Sequence, residues 1–204
     1  MNILVACETS GQVRNAFNKY NRRWENRQGI HAYSCDILES DDNSTKHYIA
    51  DCKEIIKSRF WDIIIMPPPC TALSVSGNAT YAKGMKKYHE RLKSIKWTTH
   101  LWRLAKRHSR AVCMENPVGV LPFKPSQYIQ PWMFGHPESK KTGLWLHNLP
   151  KLKETNNVKH IMDKLPKNKQ QRLHYLPPSP ERSKIRSKTF AGIASAMASQ
   201  WKNI

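Results

Sequence analysis

The chain has 204 residues, 39% of them hydrophobic, and its 34 Lys and Arg against 15 Asp and Glu give a formal net charge of +19. This length accommodates one α/β domain with a sizeable core and a small appendage. The five cysteines are odd in number and form no Cys-x-x-Cys pair, which argues against a disulfide framework and a zinc ribbon. No apolar run approaches the roughly 20 residues of a membrane-spanning helix, so we expect a cytoplasmic protein without a membrane or metal partner.

The excess of positive charge points to a polyanionic partner. So large an imbalance destabilises a compact chain by self-repulsion unless a polyanion neutralises it. Nucleic acid is the partner that we expect. An anionic membrane surface is the weaker alternative, because neither end of the chain combines basic residues with a clean apolar helix face.

The first residues have the pattern of a strand, a turn and a helix. Residues 2–7 predict a buried strand, and the polar residues 8–11 can cap the helix that follows. Apolar residues recur at helical spacing over 13–20, and Arg14 is interpreted as lying on one of the other faces.

Two further predicted strands end in an acidic residue. Residues 31–35 lead to Asp36, and residues 47–50 lead to Asp51. This order is the first half of a nucleotide-binding α/β fold, in which the first acid suits ribose hydroxyls and the second an adenine amino group. The alternative is that both acids only cap the turns that follow them.

The next strand leads to a candidate nucleophile. Residues 62–66 predict a buried parallel strand, and three prolines end it because proline lacks the N–H that a strand ladder needs. Cys70 follows at the carboxyl end of this strand, where open α/β sheets bind their ligands. A thiol there can act as a nucleophile if its pKa is lowered, and a buried structural cysteine is the alternative.

A polar loop over 74–84 and a helix over 86–110 follow this cysteine. A loop of this length beside a candidate nucleophile is more often functional than idle. The basic residues of the predicted helix, Arg91 among them, are interpreted as a solvated face. Their excess of positive charge suggests contact with phosphate groups.

A carboxyl group follows the next buried strand, residues 111–114, as Glu115. We expect this strand beside the one that precedes Cys70, so that a thiol and a carboxyl group meet at neighbouring strand ends. Such a carboxyl group can exchange a proton with a bound ring. Residues 128–134 and 143–147 predict two more strands.

The composition changes in the last third of the chain. Residues 151–188 carry eleven Lys and Arg against three Asp and Glu, a net charge of +8, and several prolines interrupt them. We expect an excursion without a core of its own that becomes ordered on a phosphate backbone. Residues 192–201 predict a helix of small residues that packs on the sheet.

Four short motifs, taken together, resemble the DNA cytosine-5 methyltransferase family. Pro68-Pro69-Cys70-x-x-Leu73-Ser74-x-x-Gly77 has the spacing of the family's Pro-Cys-Gln-x-Phe-Ser-x-x-Gly loop, and Glu115-Asn116-Pro117 is similar to its Glu-Asn-Val. Gly135-x-Pro137-Glu138-Ser139-Lys140-Lys141 is similar to its Gly-x-Pro-Gln-x-Arg-x-Arg, and the terminal helix fits its closing segment. The order and separation of the motifs agree over most of the chain, most closely with the compact forms encoded by phages and prophages.

The resemblance implies a Rossmann-like S-adenosylmethionine-dependent methyltransferase fold with a mostly parallel sheet and a small basic C-terminal excursion. It implies that a cytosine flipped out of double-stranded DNA is attacked by Cys70, protonated by Glu115 and methylated at carbon 5, with Lys140 beside the ring. The residues that it assigns to S-adenosylmethionine are Ala6, Glu8, Thr9, Ser10, Gly11, Asp36, Asp51 and Pro68. Those that it assigns to DNA are Ser74, Ser76, Asn78, Asn116, Lys141, Arg182, Lys184 and Arg186.

The resemblance also predicts how the chain is organised. Residues 1–148 would be the catalytic domain, 149–182 a short basic target-recognition-like insertion, and 183–204 a terminal helix that returns to the catalytic domain. The insertion is small for reading base edges, so we expect short or relaxed sequence specificity. We also expect a monomer that acts in the cytoplasm of a bacterial host.

Departures from the family motifs leave other readings open. The family's Phe-x-Gly-x-Gly is reduced to one glycine, Gly11, while Glu138 replaces its Gln and Thr142 its second Arg. One alternative is therefore a DNA-binding decoy that has lost its cofactor. Another is the same attack chemistry with a modified S-adenosyl donor, which the basic residues Arg186 and Lys188 near the terminal helix allow. An enzyme that methylates exocyclic nitrogen is disfavoured, because it needs an aromatic residue in place of the cysteine.

Overall fold

The structure, a computed structural model, describes residues 1–22 and 29–204. The strands of this part of the chain are β1 (Asn2–Ala6), β2 (His31–Asp36), β3 (His47–Ile49), β4 (Trp61–Met66), β5 (Ser109–Pro117), β6 (Gln127–Ile129) and β7 (Thr142–His147). They form one sheet in the order β3-β2-β1-β4-β5-β7-β6. The strands β3, β2, β1, β4 and β5 are parallel, and β7 is antiparallel to both of its neighbours. The predicted α/β fold with a mostly parallel sheet is therefore present.

Helices connect the strands and cover both faces of the sheet. They are α1 (Gln12–Asn18), α2 (Cys52–Lys57), α3 (Asn78–Tyr81), α4 (Tyr88–Arg107), α5 (Lys159–Met162), α6 (Lys167–Gln170), α7 (Glu181–Ser187) and α8 (Ala191–Trp201). Short 3-10 turns lie at Lys19–Arg22, Val75–Gly77 and Pro131–Met133. Among the described residues, no helix is both long and apolar enough to cross a membrane.

The expected strand over 128–134 is wrong in its second half. Strand β6 ends at Ile129, and the chain then turns into the 3-10 turn that begins at Pro131. Proline has a fixed φ and no N–H to give to a ladder, and here it occupies the first position of that turn. The aromatic residues of this segment predict a strand, but Phe134 packs in the hydrophobic core from the residue after the turn.

The central strand β4 explains why the sheet is buried on both faces. Ile63 and Ile65 pack with Phe17 of α1 and Trp201 of α8, whereas Ile64 belongs to the cluster on the opposite face. All of these side chains are at most 1% exposed. A strand buried on both faces reads as a continuous apolar run, and its burial fixes where the residues after its carboxyl end emerge.

The helical pattern places Arg14 on a face of α1 apart from the apolar residues, but in the structure Arg14 is buried with them. Its side chain is fully buried, and Nη1 donates to Ser34 Oγ at 2.6 Å while Nη2 pairs with Asp42 in the loop after β2. Burial favours a higher pKa for the Asp42 carboxyl. The hydrogen bonds from Arg14, Ser40 and Asn15 outweigh burial and hold the pKa of Asp42 well below its usual value. The guanidinium thus fastens α1 to that loop.

Gly11 makes room for this buried guanidinium. Its φ is +65°, and a Cβ at this position would lie 2.3 Å from Nη2 of Arg14. The glycine is therefore required both by the backbone conformation before α1 and by the arginine packed against it.

The basic segment after β7 is anchored to the rest of the chain. Leu152, Val158, Met162 and Leu173 are buried, and the backbone N–H of Gly135 donates to the Asn156 carbonyl. Its helices α5 and α6 have only four residues each. The three-part division of the chain at residues 148 and 182 stays a prediction.

Candidate active site

Cys70 follows β4, whereas Glu115 lies within the last part of the neighbouring strand β5 and does not follow a strand as expected, because β5 continues to Pro117 in pairing with β7. Strands β4 and β5 are parallel neighbours, with Met66 opposite Met114, so the chain that leaves β4 starts beside the last residues of β5. The side chain of Asn116 then joins the two ends, because its Nδ2 donates to the Pro68 carbonyl at 3.1 Å. Cys70 is half-buried, whereas Glu115 is only 8% exposed. Glu115 is near enough for its charge to act on the Cys70 thiol, and a joint role of the two residues in catalysis stays a prediction.

The groups around Cys70 shift the pKa of its thiol in opposite directions. Burial raises its pKa above the ordinary value for cysteine, and the negative charge of Glu115 raises it further. The positive charges of Lys140 and Arg186 lower it, but they do not overcome burial. The free site therefore holds Cys70 as a thiol, and forming the thiolate nucleophile requires a further stabilising group or a proton acceptor.

Lys140 connects this edge of the sheet to helix α7. Its Nζ donates to the Arg186 carbonyl at 3.0 Å, and its backbone N–H donates to Gln130 Oε1 at 3.0 Å. Its carbonyl accepts a bond from the hydroxyl of buried Thr142. Lys140 and Glu115 also line the same small cavity, together with Phe190 at the start of α8. An ammonium group and a carboxyl group therefore share this cavity, and the charges of both act on the Cys70 thiol.

The loop after Cys70 is held in place by Arg91, which sequence reasoning missed. The prediction placed this arginine on a solvated face, but it is only 5% exposed. Its Nε donates to the Ala72 carbonyl at 2.7 Å, Nη2 to the Ser74 carbonyl at 3.1 Å, and Nη1 to Asn78 Oδ1 at 2.9 Å. A single basic residue among solvated ones carries no sequence signal of burial, because its acceptors are loop carbonyls.

The carboxylate of Glu8 is turned inward. It is 4% exposed and accepts bonds from Val13 N at 2.9 Å and Ser10 Oγ at 3.2 Å. Burial raises the pKa of Glu8, and the backbone N–H bonds at the start of α1 oppose that shift. The expected capping of α1 by this turn is confirmed, and Glu8 occupies helix N–H groups that could otherwise face a ligand.

The two acids predicted at strand ends also cap local turns. Asp36 Oδ1 accepts from Leu38 N at 3.1 Å, and Asp51 accepts from Lys53 N at 2.9 Å at the start of α2. Asp51 also forms an ion pair with Lys53 at 3.0 Å. Beyond Asp36, Ile37 and Leu38 are 74% and 63% exposed. An acid beside two exposed apolar side chains suits a nucleoside, with a polar sugar and a flat base.

The first loop is also joined to helix α7. The backbone N–H of Asp41 donates to the Thr9 carbonyl at 2.9 Å, and its carboxylate pairs with Lys184 and Lys188, each at 3.1 Å. Burial works to raise the pKa of Asp41, but the bonds to the two lysines lower it overall. Because Lys140 holds the same helix at Arg186, α7 spans from the predicted cofactor side to the Cys70 side.

The remaining predicted residues differ in accessibility. Ser76, Asn78, Lys141 and Lys184 are exposed, whereas Ala6, Pro68, Ser74 and Asn116 are buried. Arg182 donates to the His174 carbonyl at 3.3 Å. In the described ranges, no group of three His, Cys, Asp or Glu side chains is arranged to hold a metal ion.

Neither a family model nor a curated protein matches this chain. A solved structure of the methyltransferase EhMeth from Entamoeba histolytica matches it with a TM-score of 0.52 and 15% sequence identity. The match covers 78% of this chain and 57% of the length of EhMeth. At this identity the likeness is one of fold, and it agrees with a Rossmann-like sheet of the kind found in a methyltransferase.

Proposed function

We propose that the protein is a DNA cytosine-5 methyltransferase that uses Cys70 as its nucleophile. The observation that carries the proposal is the proximity of a half-buried thiol in the segment after β4 to a buried carboxyl group near the carboxyl end of the neighbouring strand β5, with the charge of Lys140 acting on the same thiol. Structural packing alone does not require this combination. The methyltransferase fold of the sheet and the net charge of +19 support the same assignment.

The chemistry assigns a distinct task to each of these residues. The Cys70 thiol gives its proton to the Glu115 carboxylate, and the sulfur forms a bond to carbon 6 of the flipped cytosine while the electron pair of the 5,6 double bond moves towards carbon 5. Glu115 donates a proton to ring nitrogen 3, which makes the ring more electrophilic. After carbon 5 has gained its methyl group, loss of its proton to a base restores the double bond and breaks the sulfur–carbon bond. Lys140 stabilises negative charge on the sulfur and near the ring.

The residues near β1 and β2 fit a nucleoside cofactor in part. Asp36 suits ribose hydroxyls, and the exposed Ile37 and Leu38 offer apolar surface to an adenine ring. Thr9 and Ser10 are the polar residues of the first loop that would face the charged end of the cofactor. S-adenosylmethionine, when bound, supplies the electrophilic methyl group.

A second candidate function is DNA binding without catalysis. It is favoured by Glu8, which takes up N–H groups at the start of α1, and by the single glycine of that loop. In this case the protein would act as a decoy that occupies DNA. Both candidates share the basic surface, and they differ in whether Cys70 forms a covalent bond.

The deciding experiment traps that bond. We expect that duplexes containing 5-fluorocytosine with randomised flanking bases form a denaturation-resistant protein–DNA adduct in the presence of S-adenosylmethionine, because fluorine at carbon 5 prevents release. Cys70→Ala should form no adduct, and Cys52→Ala, the matched loss of another thiol, should form it normally. If the wild-type protein binds the duplex without an adduct, the decoy function is correct and the methyltransferase proposal is wrong.

A further inference from the structure

A groove with a cavity volume of about 320 Å³ lies beside the candidate active site. Its walls come from the segment after β5 and from strands β6 and β7. The side chains that matter for its chemistry are Leu121, Phe123, Lys124, Tyr128 and Trp145. Small-molecule sites in proteins begin at about 300 Å³, so the groove can receive one flat ring or a somewhat larger group.

The rim of this groove is bonded directly to the Cys70 loop. Gly119 forms a β-bridge with Ser74, the backbone N–H of Val120 donates to the Leu73 carbonyl at 3.0 Å, and that of Val75 donates to the Val118 carbonyl at 3.1 Å. The same segment follows directly on β5, the strand that contains Glu115. A polymer that enters the active site over this edge therefore passes the groove.

The floor of the groove is a rigid set of aromatic rings. Phe123 stacks on Trp102 with ring centroids 6.5 Å apart and meets Trp145 edge to face at 6.1 Å. The indole N–H of Trp145 donates to the Phe123 carbonyl at 2.9 Å, so its polar atom needs no ligand. Tyr128 is 45% exposed at the rim. The groove thus offers flat apolar surface for stacking.

The charged groups of the groove are all cationic. The exposed Lys124 lines the groove, and Lys141 lies next to it, with its Nζ 4.5 Å from the centroid of the Tyr128 ring. Among the described residues that line the groove there is no carboxylate. Flat aromatic surface flanked by cations complements a nucleotide, which combines a π-system with a phosphate.

We propose that this groove is a nucleotide subsite that receives an unstacked base adjacent to the target cytosine. The base stacks on the aromatic surface of Tyr128 and Phe123, and Lys124 and Lys141 neutralise the phosphates next to it. The subsite rests on the proposed function, because it assumes that the target cytosine is bound at Cys70. Stacking of the neighbouring base does not itself require methyl transfer. The groove would thereby help to hold the duplex open.

The test uses full-length Cys70→Ala protein, so that no adduct interferes with the binding measurement. Fluorescence anisotropy with duplexes of randomised sequence around one cytosine should show that Tyr128→Ala weakens binding about fivefold to hundredfold, the range expected for loss of one base–aromatic stack. Tyr128→Phe keeps the ring and should bind like its parent. A photoreactive 5-iodouracil placed one or two nucleotides from the cytosine should crosslink to the peptide that spans residues 118–128.

Each outcome separates this proposal from the catalytic one. Crosslinking to residues 118–128 with a Tyr128→Ala defect supports the subsite even if the wild-type protein forms no 5-fluorocytosine adduct. Unchanged binding by Tyr128→Ala, or crosslinks confined to other peptides, overturns the subsite even if the adduct forms. Equal loss in Tyr128→Ala and Tyr128→Phe also overturns it, because the hydroxyl group would then be responsible.

Discussion

Arg91 Nε donates a 2.7 Å hydrogen bond to the carbonyl of Ala72, two residues beyond Cys70. Two more bonds from the same guanidinium reach Ser74 and Asn78. One buried arginine on α4 therefore fixes the conformation of the whole loop that follows the candidate nucleophile. Arginine suits this task because its planar fork presents several donors in a fixed geometry, which lysine does not.

We predict that Arg91→Lys slows formation of the 5-fluorocytosine adduct about tenfold to hundredfold, because small displacements of a nucleophile are costly. Loop carbonyls that lose their donor should also reduce the free energy of unfolding by about 1–3 kcal/mol. Adduct formation is followed by denaturing gel electrophoresis, and stability by urea denaturation at constant pH. Arg103→Lys is the matched control, since Arg103 lies exposed on the same helix. Equal rates in the two variants would contradict a positioning role for Arg91.

The pH dependence of Cys70 reactivity provides a second prediction. Burial and the Glu115 charge raise the pKa of the thiol, and Lys140 lowers it. Alkylation of Cys70 by iodoacetamide should therefore accelerate only at alkaline pH, since the thiolate is the reactive form. Glu115→Gln should move the midpoint of the rate profile to lower pH, and Lys140→Gln to higher pH. The rate is measured by mass spectrometry of the peptide that contains Cys70.

The control for these shifts is Glu154→Gln, which removes one exposed negative charge far along the chain in the basic segment. A midpoint that stays the same in all three variants would mean that neither Glu115 nor Lys140 acts on the thiol. A shift in the same direction for Glu115→Gln and Lys140→Gln would point to altered accessibility rather than to charge.

The position of Cys70 could be predicted because strand burial leaves a clear trace in the sequence. Ile63, Ile64 and Ile65 form an uninterrupted apolar run that only a doubly covered strand explains, and the prolines mark its end. Parallel strands run to one edge, so the same argument placed Glu115 near Cys70, although β5 continues past it to Pro117. These inferences need only local pattern and sheet geometry.

The anchoring residues could not be predicted by the same argument. Arg14 and Arg91 occur among other basic residues, and hydrophobic periodicity assigns such side chains to solvent. Their acceptors are a loop acid, hydroxyl groups and backbone carbonyls that reach them only after the chain has folded. The same holds for Lys140 and Arg186, which meet across 46 positions of sequence. Burial of a charged group depends on partners that no local pattern reveals.

Helix α7 gives a third prediction, about competition for two lysines. Asp41 pairs with Lys184 and Lys188, whose side chains remain 49% and 43% exposed. Exposed ion pairs contribute only about 0.2–1 kcal/mol each, so phosphates can readily replace the carboxylate. We predict that Asp41→Asn strengthens duplex binding roughly twofold to thirtyfold at low salt, because releasing both pairs frees the lysines. The gain should shrink as salt rises.

Asp163→Asn is the control for this effect, since it removes the same charge from the exposed pair with Lys159 on α5. Binding is measured by fluorescence anisotropy over a series of salt concentrations. If both variants gain affinity equally, the effect comes from net charge alone, and the contact between α7 and Asp41 has no particular role.

The bond between His136 and Gly192 gives a fourth prediction, about stability against pH. His136 Nε2 accepts the backbone N–H of Gly192 at 2.9 Å near the start of α8, and a Cβ on Gly192 would lie 1.8 Å from the Phe134 carbonyl, so the helix has no room to shift. Burial lowers the pKa of His136, although the Glu138 charge opposes this. Below pH 6.5, the ordinary value, the unfolded chain binds a proton that the folded chain resists, so the free energy of unfolding should fall as pH decreases.

Urea denaturation at pH 7.5, 6.5 and 5.5 should therefore give a smaller pH dependence for His136→Gln than for the wild-type protein. The variant should retain some slope, because burial also lowers the pKa of His147. His160→Gln is the matched control, since His160 is exposed on α5 and its replacement should leave the wild-type slope unchanged. Equal slopes for wild type and His136→Gln would show that protonation of this ring is not coupled to folding. Gly192 lies in the first turn of α8, which packs against α1. A larger loss of unfolding free energy at acid pH in the wild-type protein than in His136→Gln would therefore tie the docking of α8 to the neutral form of His136.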